Sequence, residues 1–503
     1  MKPSTWFTRL AHPRIALVLA IVLLALQHGS ATPTMAAVDG LVPDSVAGGG
    51  VNYNVWPTGD PALDVSNVQW AVDHVRPGGV VRLKATNKFS GVAMPFDFGA
   101  DGSVGLRTSV TIKGEVDDAG TPLVTVRGGH TPFTADDPSV ALEISHVRFD
   151  GARRAAIYVR QAAAVTITDT VMVNLLPNKE LGYPVPVEYF AASGIEMGAL
   201  FCEQPDATLP NVCLDPPRHL GSVQILNNVI DLGIYDGHGG LLDPNVVYPN
   251  STAGGIALQD TSFSGILLVG AEVNATIAGN VVRNTNRRAI HPLDTVGSTE
   301  IVGNIVEMSP FSAATPGTAS PGGNGKRSFG IFPLNGHRNV DAAIHGAVHT
   351  VRGNTVVLAS DVGVDGPHGI GIVGANGIAD AVVSDNTVIY KPGARNAILV
   401  LGNSSLVKLA RPRYTVIDHN TIDASSYVPL PVPGLFVAPA HILLSAADST
   451  TIDTNTYIGD LPLYAIVGVA TGVVDTSHPN TLVDVWCGTS KILFANLGSC
   501  TQP

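Results

Sequence analysis

Ile225-Leu226-Asn227-Asn228-Val229-Ile230 is the stretch on which the fold turns. Its frame is Ile or Val, two variable residues, Asn, one more residue and an apolar one. It returns at 277–282, 301–306, 351–356, 383–388, 417–422 and 452–457. The asparagines are Asn228, Asn280, Asn304, Asn354, Asn386, Asn420 and Asn455, at intervals of 52, 24, 50, 32, 34 and 35 residues. The interval of 24 reads as one unit, those of 50 and 52 as two units, and the others as one unit with a loop insertion. Residues 144–149 and 167–172 keep the frame with Asn replaced. A period of this size marks a stacked-repeat architecture.

A second pattern precedes the Asn frame: a small residue, Ile, a variable residue and an apolar one. It begins at Ala156, Gly194, Gly265, Ala289, Gly330, Gly369, Ala397 and Ala465, with His441 in the small position of one further copy. Each unit therefore holds at least two short strands of period-two alternation, separated by Gly, Asn, Asp and Ser turns. Units near 24 residues with no helix-length segment between strands exclude βαβ crossovers and suit a solenoid. A propeller blade would need four strands in ~40–45 residues. In a coiled parallel sheet, equivalent positions stack ~4.8 Å apart. The repeating Asn suits a corner, where it tolerates left-handed backbone and its amide can hydrogen-bond to the next coil. Residues 67–75 place Val68, Ala71, Val72 and Val75 on one helical face before Pro77-Gly78-Gly79, which predicts a short helix plugging the first coil.

Composition agrees. The 503 residues include 54 Gly and 35 Pro, 45% are hydrophobic, and only 14% are charged. Too few residues are helix-favouring Glu and Lys for a coiled coil, and the apolar content excludes disorder. Lys2, Arg9 and Arg14 precede an apolar run from Ile15 to Leu26 and then small residues, the pattern of an export signal. The run is shorter than the ~20 residues that span a bilayer. The domain reading is signal peptide over 1–37, lead-in over 38–65, β-helix over 66–470 and C-terminal cap over 471–503. The expected location is secreted or periplasmic, with no membrane partner after cleavage and a monomeric state. Losing three positive charges takes the net charge from −12 to −15. An acidic chain disfavours nucleic acid, and accepts any polyanion only at a local basic patch or a divalent metal. Cys202, Cys213, Cys487 and Cys500 form two pairs, 11 and 13 residues apart, which in an exported chain read as two local disulfides. They lack the C-x-x-C spacing of a metal site.

The stretch VQWAVDHVRPGGVVRL over 68–83, the strand SVTIKGE over 109–115 and the serial G-I-x-L and I-x-x-N-x-V units out to about residue 470 resemble the pectin-lyase-like superfamily. The resemblance covers some 400 residues. It implies an all-β, right-handed parallel β-helix. It leaves chemistry open, since the superfamily spans lyases, glycosidases, epimerases and proteins without known activity. Residues 416–420 look like the V-W-I-D-H motif of pectate lyases, yet they lie inside an ordinary repeat unit, so Asp418 and His419 read as corner residues beside Asn420. Residues 366–372 look like the G-H-G-I-S-I stretch of polygalacturonases. The N-T-D, paired-Asp and R-I-K motifs are absent, which leaves His368 without a hydrolytic mechanism.

The densest cluster of candidate chemistry is Asn286 to Asp294, which aligns with Arg327 to Asn335 through a shared Ile-x-Pro-Leu. If Ile290 points inward, His291 points outward. His291 then lies beside Phe332, with Glu196 two coils away and Arg160 one coil further on the same face. A uronide lyase or epimerase needs a cation against the substrate carboxylate and a base for the neighbouring proton. Arg288 and His291 fit those catalytic roles, with Arg287, Lys326, Arg327, Arg160 and Phe332 as substrate contacts. A glycosidase would need two carboxylates, and Glu196 with Asp294 is the best pair available. The competing structural reading has these arginines paired with loop acids. No metal ligand set is evident; a divalent cation such as calcium enters only for a polyuronide substrate. The insertions over 174–220 and 310–326 flank this region and could wall a groove. The expected function is binding or cleavage of an extracellular polysaccharide on the outer face of the central coils. The alternative is a non-catalytic β-helix that presents loops to a protein or glycan partner, and the low aromatic content of 6% leans slightly toward it.

Overall fold

The computed structural model describes residues 42–175, 192–198, 218–233, 262–285, 288–308, 329–335, 346–358, 368–374, 379–392, 394–402, 412–428, 440–445, 447, 449–459, 464–469, 473–475 and 485–487. Among them, three long sheets of fourteen, eleven and thirteen strands run side by side. The chain visits each sheet once per coil. It passes through Ala271–Ala278 in the first sheet, Val281–Thr285 in the second and Arg288–Leu293 in the third. It then returns to the first at Val296–Val302, in parallel register with Ala271–Ala278. The chain is a parallel β-helix. Each coil is a parallel crossover, a connection that is right-handed in nearly all sheets. The first two strands of the first sheet, Val46–Gly49 and Asn52–Val55, form an antiparallel hairpin. The remaining twelve mark the coils.

The sequence anchors become three continuous inward rows. Ile144, Ile167, Ile225, Ile277 and Ile301 stack in the first sheet. Met172, Ile230, Val282 and Val306 stack in the second. Ile157, Ile195, Ile266, Ile290 and Ile331 stack in the third. These side chains have essentially no exposed surface. Burying each is worth about 1.5–3 kcal/mol against exposure, so the rows carry the fold. The small residue before each third-sheet isoleucine also has a cause. A Cβ on Gly194 would come within 2.6 Å of Ile230 Cγ2, and one on Gly265 within 2.5 Å of Val282 Cγ1. At these two coils the chain turns so tightly between the second and third sheets that only hydrogen fits.

The asparagines form a ladder through the interior. Asn280 donates its backbone N–H and its Nδ2 to Asn304 Oδ1, both at 2.9 Å, and a second Nδ2 proton goes to the Ile225 carbonyl. The same set recurs from Asn228 through Asn420, which bonds Asn455, and all of these asparagines are buried. Thr170 ends the ladder by donating its hydroxyl to Asn228 Oδ1 at 2.7 Å. One expectation is corrected here. The left-handed residue is the one before each Asn: Asn227 (φ 55°), Gly279 (65°), Asp385 (56°) and His419 (53°) among others. The Asn is chosen for its amide, and its neighbour absorbs the turn. Asp418 and His419 are corner residues, as read.

The intervals of 52 and 50 are also corrected. Asn228 bonds Asn280 directly and Asn304 bonds Asn354 directly, so each interval is one coil, not two. Added residues between the second and third sheets, and in the Asn304–Asn354 coil also between the third and the first, lengthen a coil without adding a rung. The capping helix α1 spans Pro61–His74, starting earlier than the apolar face implied. Asp60 caps it by accepting from the N–H groups of Ala62 and Leu63. The charged face hid this start, because Asp64 is fully buried there and works as an acceptor. It takes hydrogen bonds from Thr58 N–H and hydroxyl, Gly59 N–H and Asp97 N–H, tying the helix to the second sheet. Burial raises its pKa despite those bonds. Val68, Ala71, Val72 and Val75 are buried, as expected.

Among the described residues no helix is long and apolar enough to cross a membrane. Cys487 ends the strand Val485–Cys487. Cys202, Cys213, Cys500 and the segment read as an export signal lie outside the described residues.

Candidate functional site

Outward side chains of the third sheet stack as regularly as the inward ones. A single row runs Gly105, Thr134, Tyr158, Glu196, Leu267 and His291. Its character changes along the axis, from polar and partly exposed over the first coils to apolar and buried over the central ones.

In the central part His291 does occupy the outward position, beside Phe332 with ring centroids 5.2 Å apart. Phe332 stacks on Phe329 at 3.8 Å and Phe329 on His368 at 4.8 Å, giving four rings in line. Gly371 makes this arrangement fit, since a Cβ there would lie 2.5 Å from Phe329 Cε1 and 2.9 Å from Phe332 Cδ2. The shared Ile-x-Pro-Leu frame is in register, with Ile290 opposite Ile331 and Leu293 opposite Leu334. The expectation of an open groove here is not met. His291 and Asp294 have no exposed surface, and Phe332 joins an apolar cluster with Leu267, Leu293 and Leu399. Burial, with Arg288 nearby, holds the His291 pKa well below its usual value. The Arg288 guanidinium lies over the Phe332 ring at 5.1 Å. Asp294 sits at a corner with φ 52°, its N–H donating to the Leu334 carbonyl. Arg287, Lys326 and Arg327 lie outside the described residues.

Glu196 belongs to a different neighbourhood. It is two coils from His291 with Leu267 between them, and it grips Arg154, whose Nη2 donates to Glu196 Oε1 at 2.6 Å. The Arg154 guanidinium also lies over the Tyr158 ring at 4.3 Å. Burial alone would lower the Arg154 pKa, but the Glu196 carboxylate outweighs it and the net shift is upward. Burial first, and Glu196 second, raise the Tyr158 pKa, so its hydroxyl stays protonated. Arg160 pairs with Asp136 at 3.1 Å, and Gln161 donates to the same carboxylate at 3.0 Å.

Arg154 and Tyr158 form the inner wall of a cleft of about 600 Å³ over the first coils. Arg107, His130, Asp136 and Asp137 line the rest of it. A cleft of this size suits a small ligand or a segment of a polymer. The sequence reading reached Glu196 and Arg160 but missed the residues between them. The available signal was Arg153-Arg154-Ala155-Ala156-Ile157, which echoes Arg287-Arg288-Ala289-Ile290. Among the described residues no group of three His, Cys, Asp or Glu side chains is assembled to hold a metal ion.

No family model matches the chain, and no curated protein does. Solved structures similar to it include a variant of DFA-IIIase from Arthrobacter chlorophenolicus in complex with DFA-III. That match has 12% identity and a TM-score of 0.36, covering 85% of this chain and 94% of that one. DFA-IIIase from the same organism in complex with GF2 matches at 14% identity with a TM-score of 0.30, over 85% and 94% of the two chains. A mannuronic acid specific polysaccharide family 6 lyase from human gut microbiota matches at 12% identity with a TM-score of 0.26, over 85% and 86%.

Proposed function

We propose that this chain is an exported protein that binds a polysaccharide along the outer face of its third sheet, with the cleft over the first coils as the principal subsite. The observation that carries the reading is the Arg154–Tyr158 pair in the cleft wall, held from behind by the buried Glu196. Saccharides are held by planar polar groups that meet their hydroxyls and by ring faces that meet their C–H surface. This wall offers a guanidinium and a phenol, fixed against each other by the buried Glu196 carboxylate behind them. The cleft spans adjacent coils, whose equivalent positions lie ~4.8 Å apart, so it also suits a segment of a linear polymer.

Binding without cleavage is the form of the activity that the geometry favours. A hydrolase needs a carboxylic acid and a carboxylate free to act on either side of the bond. Here Glu196 is committed to Arg154 and Asp136 to Arg160, so Asp137 lines the cleft without a second uncommitted carboxylate among the described residues that line it. The test is a panel of soluble polysaccharides, scored for binding and for two kinds of product. An unsaturated, ultraviolet-absorbing end would reveal a lyase, and new reducing ends a glycosidase; either would replace the binding reading with an enzymatic one. Failure to bind any member of the panel would remove the proposal. Export is tested separately by N-terminal sequencing of the protein recovered outside the cytoplasm, with cleavage expected between residues 30 and 38.

A further inference from the structure

We infer that the cleft over the first coils takes an uncharged, hydroxyl-rich saccharide and discriminates against polyuronides and sulfated glycans. The inference rests on the binding role just proposed and specifies the ligand for that site.

The charges in and against the cleft decide it. Three arginines, Arg107, Arg154 and Arg160, face three carboxylates, Asp136, Asp137 and Glu196. Two of these acids are already neutralised by ion pairs, at 2.6 Å to Arg154 and 3.1 Å to Arg160. The site therefore has no surplus of positive charge in a chain whose net charge is −12. A polyanion entering it meets the long-range repulsion of the whole protein, with no local excess of cations to offset it. Binding one carboxylate of a uronide at Arg154 would also strip that arginine from Glu196, leaving a nearly buried carboxylate uncompensated.

A sugar hydroxyl makes the opposite demand. It both donates and accepts, whereas a carboxylate only accepts and a guanidinium only donates. Alternating arginines and acids therefore satisfy neighbouring hydroxyls on one ring without breaking either ion pair. Thr134 and Tyr158 stand next to each other in the row and add hydroxyls of their own. The Tyr158 O–H is directed to the Gly198 carbonyl at 3.2 Å, which leaves its oxygen as an acceptor for a sugar hydroxyl.

The full-length mature protein is titrated with neutral polymers (a fructan, a β-glucan, a xylan) and acidic ones (polygalacturonate, alginate, a sulfated galactan), each at low and high salt. The expected result is binding to a neutral polymer whose Kd stays within about twofold across salt, since no screened charge attraction contributes. Asp136→Asn and Arg107→Gln, both at exposed positions, are each expected to weaken that binding roughly three- to tenfold. Tighter binding to an acidic polymer, weakening roughly tenfold with salt, would overturn the inference while leaving the binding role intact. So would an Asp136→Asn variant that gains affinity for acidic polymers and loses none for neutral ones. Absence of binding to every polymer would instead remove the binding role on which the inference stands.

Discussion

Arg154 holds Glu196 at 2.6 Å with the same guanidinium that covers the Tyr158 ring at 4.3 Å, although Arg154 and Glu196 are 42 residues apart in sequence. Three side chains from two coils are thereby locked into one unit. Glu196 is 4% exposed, so removing its partner leaves a buried charge. Arg154→Ala is expected to cost about 3–5 kcal/mol of stability, measured by chemical denaturation. Glu196→Gln removes the charge that helps raise the Tyr158 pKa, so the tyrosine should titrate at lower pH in the variant. An absorbance titration showing no downward movement would contradict the coupling.

The ladder makes a second expectation. Asn304→Ala removes the acceptor for two donors of Asn280 and the donors to Asn354 and the Ile277 carbonyl, all of them buried. Each buried group left unpaired costs about 1–3 kcal/mol, so the total should exceed that of an ordinary surface substitution several-fold. A denaturation midpoint close to that of the parent protein would show that water replaces the amide.

Gly371→Ala tests the aromatic line. The new methyl group has to displace Phe329 or Phe332, and overpacking of this kind costs about 1–3 kcal/mol. Near-ultraviolet circular dichroism should change with it, because the stacked rings move. A variant as stable as the parent with an unaltered spectrum would mean that the rings have room to shift.

Acid should weaken the fold through histidine. His349 points into the core between Thr299 and Ala381, and burial lowers its pKa from 6.5 to about 4. His441, packed against Tyr390 and Tyr457, is lowered from 6.5 to about 4 for the same reason. Between these values the unfolded chain binds protons that the folded one refuses. Stability from this source is fully present above pH 6.5 and is lost as the pH falls toward 4, by about 3 kcal/mol for each histidine. Replacing His349 with Leu should flatten the dependence over that range. A pH profile as steep as that of the parent would place the effect elsewhere.

Asp64→Ala should loosen the cap. Four hydrogen-bond donors lose their acceptor at once, two of them backbone groups next to α1 and one on Asp97 in the second sheet. A loss of about 2 kcal/mol or more is expected. Amide exchange should quicken first across 58–74 and leave the ladder asparagines protected.

Most of the fold was legible because the core of a solenoid repeats. Ile225, Ile277 and Ile301 recur in the chain for the same reason they stack in space, so two short patterns exposed the repeating strands. Coil length was not legible, since an interval of 52 residues between Asn228 and Asn280 reads equally as one circuit with an insertion or as two. The outward direction of His291 followed from alternation, but its burial did not. Exposure of an outward residue depends on what neighbouring coils put beside it, here Leu267 and Phe332. The cleft was least legible, because Arg154 and Glu196 meet only when two coils are laid in register.

The asparagine ladder also makes the protein modular in length. Gly279 turns the chain into Asn280 as Gly303 turns it into Asn304, and the two asparagines are 24 residues apart, one complete circuit of the three sheets. Excising residues 280–303 would join Gly279 to Asn304 and bring Asn304 to the acceptor position that Asn280 now offers Asn228. Every remaining row would close up by one step without a change of phase. Whole circuits can therefore be gained or lost by recombination between equivalent corners, while a deletion that does not run from one ladder position to the next must be absorbed in a loop.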